Sequence, residues 1–195
     1  MAPSDPTGPA QHHREVAGRF GELTRGARDW DAPAPVDGWT ARDVVRHLVE
    51  WFPAFLASGT GIELPTGPSV DDDPVSAWQA HSDAVQAVLD DPATADRLLT
   101  NPHIGQLPLP GAIDSFYTAD VFMHTWDLAR ATGQDDGLDP DVCAAMLAGM
   151  QPMEQVLRSS GQYGPAVPVP ADADPKTRLF AFIGRDPAWT PAPSR

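Results

Sequence analysis

The sequence predicts an all-α protein, an antiparallel four-helix bundle with a short irregular or β excursion before the fourth helix and a small C-terminal extension. Three observations predict it. Apolar residues recur at spacings near 3.6 through several segments, which is the period of an amphipathic helix. Several segments open on a Thr or Asp cap, often with proline directly after, and they close on glycine or proline. Few runs have β-rich composition. A chain of 195 residues suits one domain with a sizeable core. We assign that domain to residues 11–190, behind a disordered arm over 1–10 in which Pro3, Pro6 and Pro9 leave little to bury.

The elements follow in order. A first helix is expected over 11–29, with Val16, Phe20 and Leu23 on one stripe. The adjacent His12 and His13 point to different helix faces and read as solvated. Prolines in DAPAPV end this helix, and Asp37-Gly38 marks a turn. Thr40, with Asp43 three residues on, makes a capping-box start for the second helix. Val44, His47, Leu48, Trp51 and Phe55 share its apolar face, so His47 points inward, while Glu50 lies off that stripe and reads as solvated. Pro53 removes a backbone donor and should kink or close the helix within a turn. The stretch GTGIELPTGPSVDDD is a loop.

Asp73 and Pro74 open the third helix, which carries Val75, Trp78, His81, Val85 and Leu89 on one side and ends at Asp91-Pro92. His81, alone on an apolar stripe, reads as a hydrogen-bonded core residue. A helical turn is expected over 94–99, and residues 101–111 form the irregular or β excursion, with His103 near the mouth of any site beyond it. The fourth helix covers 113–133 and ends on Gly133 in a left-handed cap. A last long helix opens on Asp139 and Pro140, with a kink at Pro152. Beyond Gly161 the chain reads as a surface tail, with an extended piece over 166–169 and a short helix over 174–184.

The fourth helix, IDSFYTADVFMHTWDLARATG, carries the chemistry. Phe116, Val121, Phe122, Met123, Trp126 and Leu128 mark it as interior, and Tyr117 reads as packing. Asp120 and His124 stand four residues apart and Asp127 follows three later, so the three share one face. A buried carboxylate without a partner costs several kcal/mol, so the fold must supply a compensating charge. An arginine, a proton or a metal ion would each serve. One reading is a core histidine bonded to a neighbouring carboxylate. The other is a metal site of His47, Asp120 and His124, because facing helices of a bundle build metal sites from inward side chains. Two histidines and one carboxylate leave coordination positions open, as in catalytic zinc sites. Asp127 would then accept the second N–H of the metal-bound imidazole, or else pair with Arg130. Glu50, His81 and Asp127 are the candidates for a further ligand.

Composition excludes other classes. Cys143 is the only cysteine, so disulfides within the chain are impossible and a metal would be held by His, Asp and Glu. Cys143 itself reads as a small core filler. A net charge of −14, spread along the chain without a basic patch, opposes nucleic-acid binding. No apolar run of membrane-spanning length exists and the N-terminus is no secretory signal, so a cytoplasmic protein is expected. Phosphate loops, dinucleotide fingerprints, His-Glu-x-x-His and Gly-x-Ser-x-Gly are all absent. A homodimer through an apolar bundle face is compatible with the pattern.

Three pieces, WTARDVVRHL, DVFMHTWDLARATG and GRDPAW, resemble the DinB-like superfamily of four-helix bundles. The likeness is to the actinobacterial branch containing the metal-binding domain of mycothiol-dependent maleylpyruvate isomerase, and it runs over most of residues 11–190. The resemblance implies a divalent metal, zinc by expectation, held by His47, Asp120 and His124. It also implies mycothiol as thiol cofactor, activated at the metal and transferred to, or added reversibly to, a small electrophilic substrate. The alternative is a metal-stabilised helical binding module without turnover. Two departures stand out. Asp120 occupies the place of the isomerase's Glu, and the further C-terminal domain that contributes to the isomerase active site finds no room in these 195 residues. Maleylpyruvate isomerisation itself is therefore not expected.

Overall fold

The computed structural model describes residues 8–191. The fold is mostly helical, with one two-stranded sheet. Helix α1 spans Gly8–Gly26, α2 Ala41–Thr60 and α3 Pro74–Asp90. An antiparallel hairpin follows, β1 (Leu98–Asn101) with β2 (Gly105–Pro108), in the register Leu99 opposite Leu107. The short α4 (Leu109–Ala112) passes through a π-helical turn (Ile113–Thr118) into α5 (Ala119–Thr132). Helices α6 (Pro140–Met150), α7 (Glu154–Ser159) and α8 (Pro175–Phe182) complete the chain.

Local chemistry accounts for most boundaries. Thr40 and Asp43 form a reciprocal capping box on α2. Asp73, Asp139 and Asp174 each accept a backbone N–H at a helix start where proline takes the first turn. Gly133 closes α5 at φ 68°, the left-handed conformation that disfavours any residue with a Cβ. Helix α1 packs on α3 and α5, and α2 packs on α5 and α3, so four helices enclose one core. Phe20, Leu23, Val44, Leu48, Phe52, Trp78, Val85, Tyr117 and Leu128 fill it.

Several expectations are corrected. Of the arm expected over 1–10, residues 1–7 lie outside the described residues, and 8–10 are already helical, because proline is tolerated in a first turn. Pro53 neither closes nor shortens α2, which continues to Thr60; Phe52 and Leu56, both fully buried, hold its last turns in the core. The helical turn expected over 94–99 is a 3₁₀ turn at Pro92–Thr94, and Leu98 and Leu99 already belong to β1. The β excursion is borne out as that hairpin. The fourth helix begins earlier than expected and contains the π turn. Proline at 152 splits the last long helix into α6, a 3₁₀ turn (Gln151–Met153) and α7.

The largest correction concerns the end of the chain. Residues beyond Gly161 are not a surface tail. Leu179, Phe180 and Ile183 are buried with Cys143, Leu147, Phe122, Met123 and Trp126 in a second core, where Trp126 stacks on Phe180 at 4.5 Å. Helix α8 is short and only modestly apolar, so its sequence pattern carries little sign of this burial. Residues 166–169 form no strand, although Val167 N–H donates to the Ala181 carbonyl. Among the described residues, no helix is long and apolar enough to cross a membrane.

Candidate metal centre

His47 is delivered by α2, and Asp120 and His124 by α5. Two local devices aim them. A bridge between Pro33 and Thr40 closes the turn ahead of α2 and seats the Trp39 ring against both imidazoles, 5.1 Å from His47 and 5.7 Å from His124. The π turn, in which Ala119 N–H reaches back five residues to the Asp114 carbonyl, adds a residue to the turn just before Asp120. It thereby rotates the polar row of α5 relative to the preceding segment.

The three side chains converge. His47 Nε2 lies 3.1 Å from Asp120 Oδ2, and His124 Nε2 lies 3.5 Å from Asp120 Oδ1. One ligand atom from each residue fits within 4.8 Å of the others, a grouping that could hold a metal ion. Trp51, one turn beyond His47, donates its indole N–H to Asp120 Oδ2 at 3.0 Å. Behind the row, His124 Nδ1 meets Asp127 Oδ2 at 2.8 Å. Asp127 is fully buried and takes a two-pronged bond from Arg185, Nε to Oδ1 at 2.9 Å and Nη2 to Oδ2 at 3.0 Å. A chain Asp120–His124–Asp127–Arg185 therefore runs from the centre to the segment that follows α8.

The electrostatics follow from burial against partners. Burial works to raise the Asp127 carboxyl, but bonds from His124 and the charge and bonds of Arg185 hold it below the ordinary carboxylate range. Burial likewise works to raise Asp120, and His124, His47 and the Trp51 N–H overcome it. Burial would depress His124, but the carboxylates of Asp120 and Asp127 outweigh it and its pKa is raised. Without a metal, the row carries negative charge shared with imidazole protons. An ion would replace those protons, which fits the donor set of two nitrogens and one oxygen.

The other residues singled out in the sequence fall elsewhere. Glu50 is exposed, as expected, and pairs with Arg46 at 3.9 Å. Arg130 does not pair with Asp127; its guanidinium lies over the Trp126 ring at 5.1 Å. His103 is exposed on the hairpin turn. Cys143 and Tyr117 are core residues, as expected. His81 is buried, but its Nε2 has no hydrogen-bond partner among the described residues, and burial, with His13 nearby, pushes its pKa down to about 4. His13 is not solvated; it is buried and its Nδ1 bonds Gln86 Oε1 at 2.8 Å. His12 is half-buried against Asp114 at 2.6 Å.

Sequence reasoning missed Arg185, Trp39 and Tyr163 as neighbours of the centre. Arg185 sits in the GRDPAW motif, and that motif was the available signal. Its delivery depends on Gly184, at φ 90°, where a Cβ would fall 2.8 Å from the Gly164 Cα. Tyr163 has no comparable signal. Burial first and then the Asp120 charge raise its phenol to about 12.

Helices enclosing a His–His–Asp cluster, braced from behind by a carboxylate, define a class: helical proteins with a candidate divalent-metal centre between two helices. Comparison narrows the class. The chain belongs to the mycothiol maleylpyruvate isomerase N-terminal domain family, whose sequence model matches residues 10–129 and so includes His47, Asp120, His124 and Asp127. Two Mycobacterium tuberculosis proteins, uncharacterized protein MT0763 of strain CDC 1551 / Oshkosh and uncharacterized protein Rv0738 of strain ATCC 25618 / H37Rv, are each similar at 30% identity over 184 residues, covering 91% of this chain and 97% of their own. No solved structure matches.

Proposed function

We propose that this protein is a cytoplasmic, zinc-binding DinB-like four-helix bundle that uses mycothiol to transfer a thiol to, or isomerise, a small electrophile. The observation that carries the reading is the convergence of His47, Asp120 and His124 within one ion's reach. The ring of α1, α2, α3 and α5 supports the bundle assignment. Family membership supports the thiol. A divalent ion at this centre would supply Lewis acidity and lower the pKa of a coordinated thiol.

The chain's own residues have definite parts in this reading. Asp127 accepts the Nδ1 proton of His124, so the Nε2 lone pair is the one presented to the centre. Arg185 keeps Asp127 ionised in the interior and prevents it from turning toward the centre as a further ligand. Trp39 shields the imidazoles on one side. A closed, purely structural site would need a fourth protein ligand. Among the described residues the cluster contains three, with Asp127 committed to Arg185 and Glu50 exposed. That favours turnover over a non-catalytic module.

Metal analysis of protein purified without a histidine tag tests the reading. The expected result is one divalent ion per chain in the wild type and its loss in His124→Ala, with helical content retained. Titration with mycothiol should then show binding to the metal-loaded protein and none after chelation. A wild type that takes up no zinc, nickel or cobalt at neutral pH overturns the proposal.

A further inference from the structure

Trp51 is a donor at the centre that an incoming ion cannot displace by taking its lone pair. Its Nε1–H is 3.0 Å from Asp120 Oδ2, the same oxygen that His47 Nε2 approaches at 3.1 Å, whereas Oδ1 faces His124 Nε2 at 3.5 Å. The two kinds of donor respond differently to a metal. Imidazole N–H groups give up their protons and turn a lone pair to the ion. The indole nitrogen has no lone pair to offer and remains a donor at any ordinary pH. The bond from Trp51 to Oδ2 therefore persists through metal loading, provided the ring stays in place. Phe52 at 5.5 Å, Phe55 at 5.7 Å and Tyr117 at 6.0 Å surround that ring and hold its orientation.

We infer that Trp51 is a positioning residue that restricts Asp120 to a single metal bond. The indole bond fixes the orientation of the carboxylate through Oδ2, so a tilt that offers both oxygens symmetrically to an ion would break that bond. It binds through one oxygen only, and the coordination position that a second oxygen would fill stays open. One face of α2 thus supplies both a ligand, His47, and, one turn later, the strap on the ligand that α5 supplies. This inference rests on the metal reading of the preceding section. It is distinct from simple packing, because an indole placed only to fill space would leave coordination unchanged when its N–H is removed.

The test is Trp51→Phe, which keeps an aromatic ring and deletes the donor, in cobalt-substituted full-length protein. Wild type should show the intense visible bands of low-coordinate cobalt. The variant should bind cobalt with weaker bands of higher coordination and should hold zinc about tenfold less tightly in a chelator competition, the scale of outer-shell effects on metal affinity. Unchanged bands and affinity in the variant overturn the role of Trp51 alone. A wild type that binds neither metal overturns the metal reading and this inference with it. A measurement on the wild type guards against a variant that fails to fold. The Trp51 indole proton should resonate downfield and resist solvent exchange in both the metal-free and zinc-loaded states. Its return to a free-indole position on adding zinc overturns the inference.

Discussion

On one side of α5, Val121, Leu128, Ala129 and Ala131 join a core built with α1, α2 and α3. On the other side, Phe122, Met123 and Trp126 join Cys143 and Leu147 of α6 with Leu179 and Phe180 of α8. The first core is fed by four long helices and, Ala131 apart, lies within the span shared with the family. The second is built mainly from residues beyond that span and rests on two short helices. Asp120, His124 and Asp127 lie on the seam between them. The first core brings the candidate ligands together, and the second reaches around to brace His124 from behind through Asp127 and Arg185. A helix apolar on nearly every side is buried on nearly every side, and its one polar row is stable because both flanks supply partners.

The comparison is broken most severely by deleting an aromatic from each core. Phe52→Ala and Trp126→Ala should each cost about 3–5 kcal/mol, but with different reach. Hydrogen exchange should show Phe52→Ala weakening protection throughout α1, α2, α3 and α5. In Trp126→Ala the loss should concentrate in α6 and α8. Equal, global loss in both variants would mean that the two cores unfold as one.

Asp127→Ala strikes the seam. It leaves the Arg185 guanidinium without its carboxylate partner and His124 without its acceptor, and should cost about 3 kcal/mol or more in urea unfolding, since stranding one partner of a buried pair is strongly destabilising. Adding Arg185→Leu should recover part of that loss. If the double variant is as unstable as the sum of the two singles, Arg185 is not coupled to Asp127.

Acid sharpens the contrast. His81, in the first core, is held neutral by burial and by its neighbour His13, so its pKa falls from 6.5 to about 4. The folded state binds this proton less readily than the unfolded state. His81 therefore contributes no penalty above pH 6.5, and the fold loses stability as pH drops from 6.5 toward 4. At 1.36 kcal/mol per pH unit the loss reaches about 3 kcal/mol. His81→Phe should flatten that part of the stability–pH curve relative to wild type; parallel curves would show that His81 is not the group responsible. At the smallest end, Val156 on α7 is exposed and borders neither core. Val156→Ser should shift the melting free energy by no more than about 0.5 kcal/mol.

Much of this was legible in the sequence because it is encoded locally. Thr40 with Asp43, and Asp73, Asp139 and Asp174 each ahead of a proline, announce helix starts within four residues. Gly133 announces a stop. The spacing of Asp120, His124 and Asp127 places them on one helix face whatever the tertiary fold. The inward face of His47 was also readable from its neighbours Val44, Leu48 and Trp51. Less visible were features whose cause lies far along the chain. His13 reads as solvated because the partners that bury it, Gln86 of α3 and the Tyr117 ring, lie far along the chain. Pro53 reads as a kink or a terminus, and the packing of Phe52 and Leu56 that carries α2 past it is tertiary.

The sequence by itself determined where the capped helices α2, α3, α6 and α8 begin, where α5 stops, and which acidic and basic groups ride together on α5, because capping and helical period act over one turn. Only the tertiary structure decided which groups meet. It set His47 against Asp120 across 73 positions, gave Asp127 to Arg185 rather than to Arg130, and turned the chain's last segment into a second core. Those choices depend on how helices pack and on which rotamers packing allows. A carboxylate's partner in the interior is the nearest donor in space, and nearness in space is what a linear pattern does not carry.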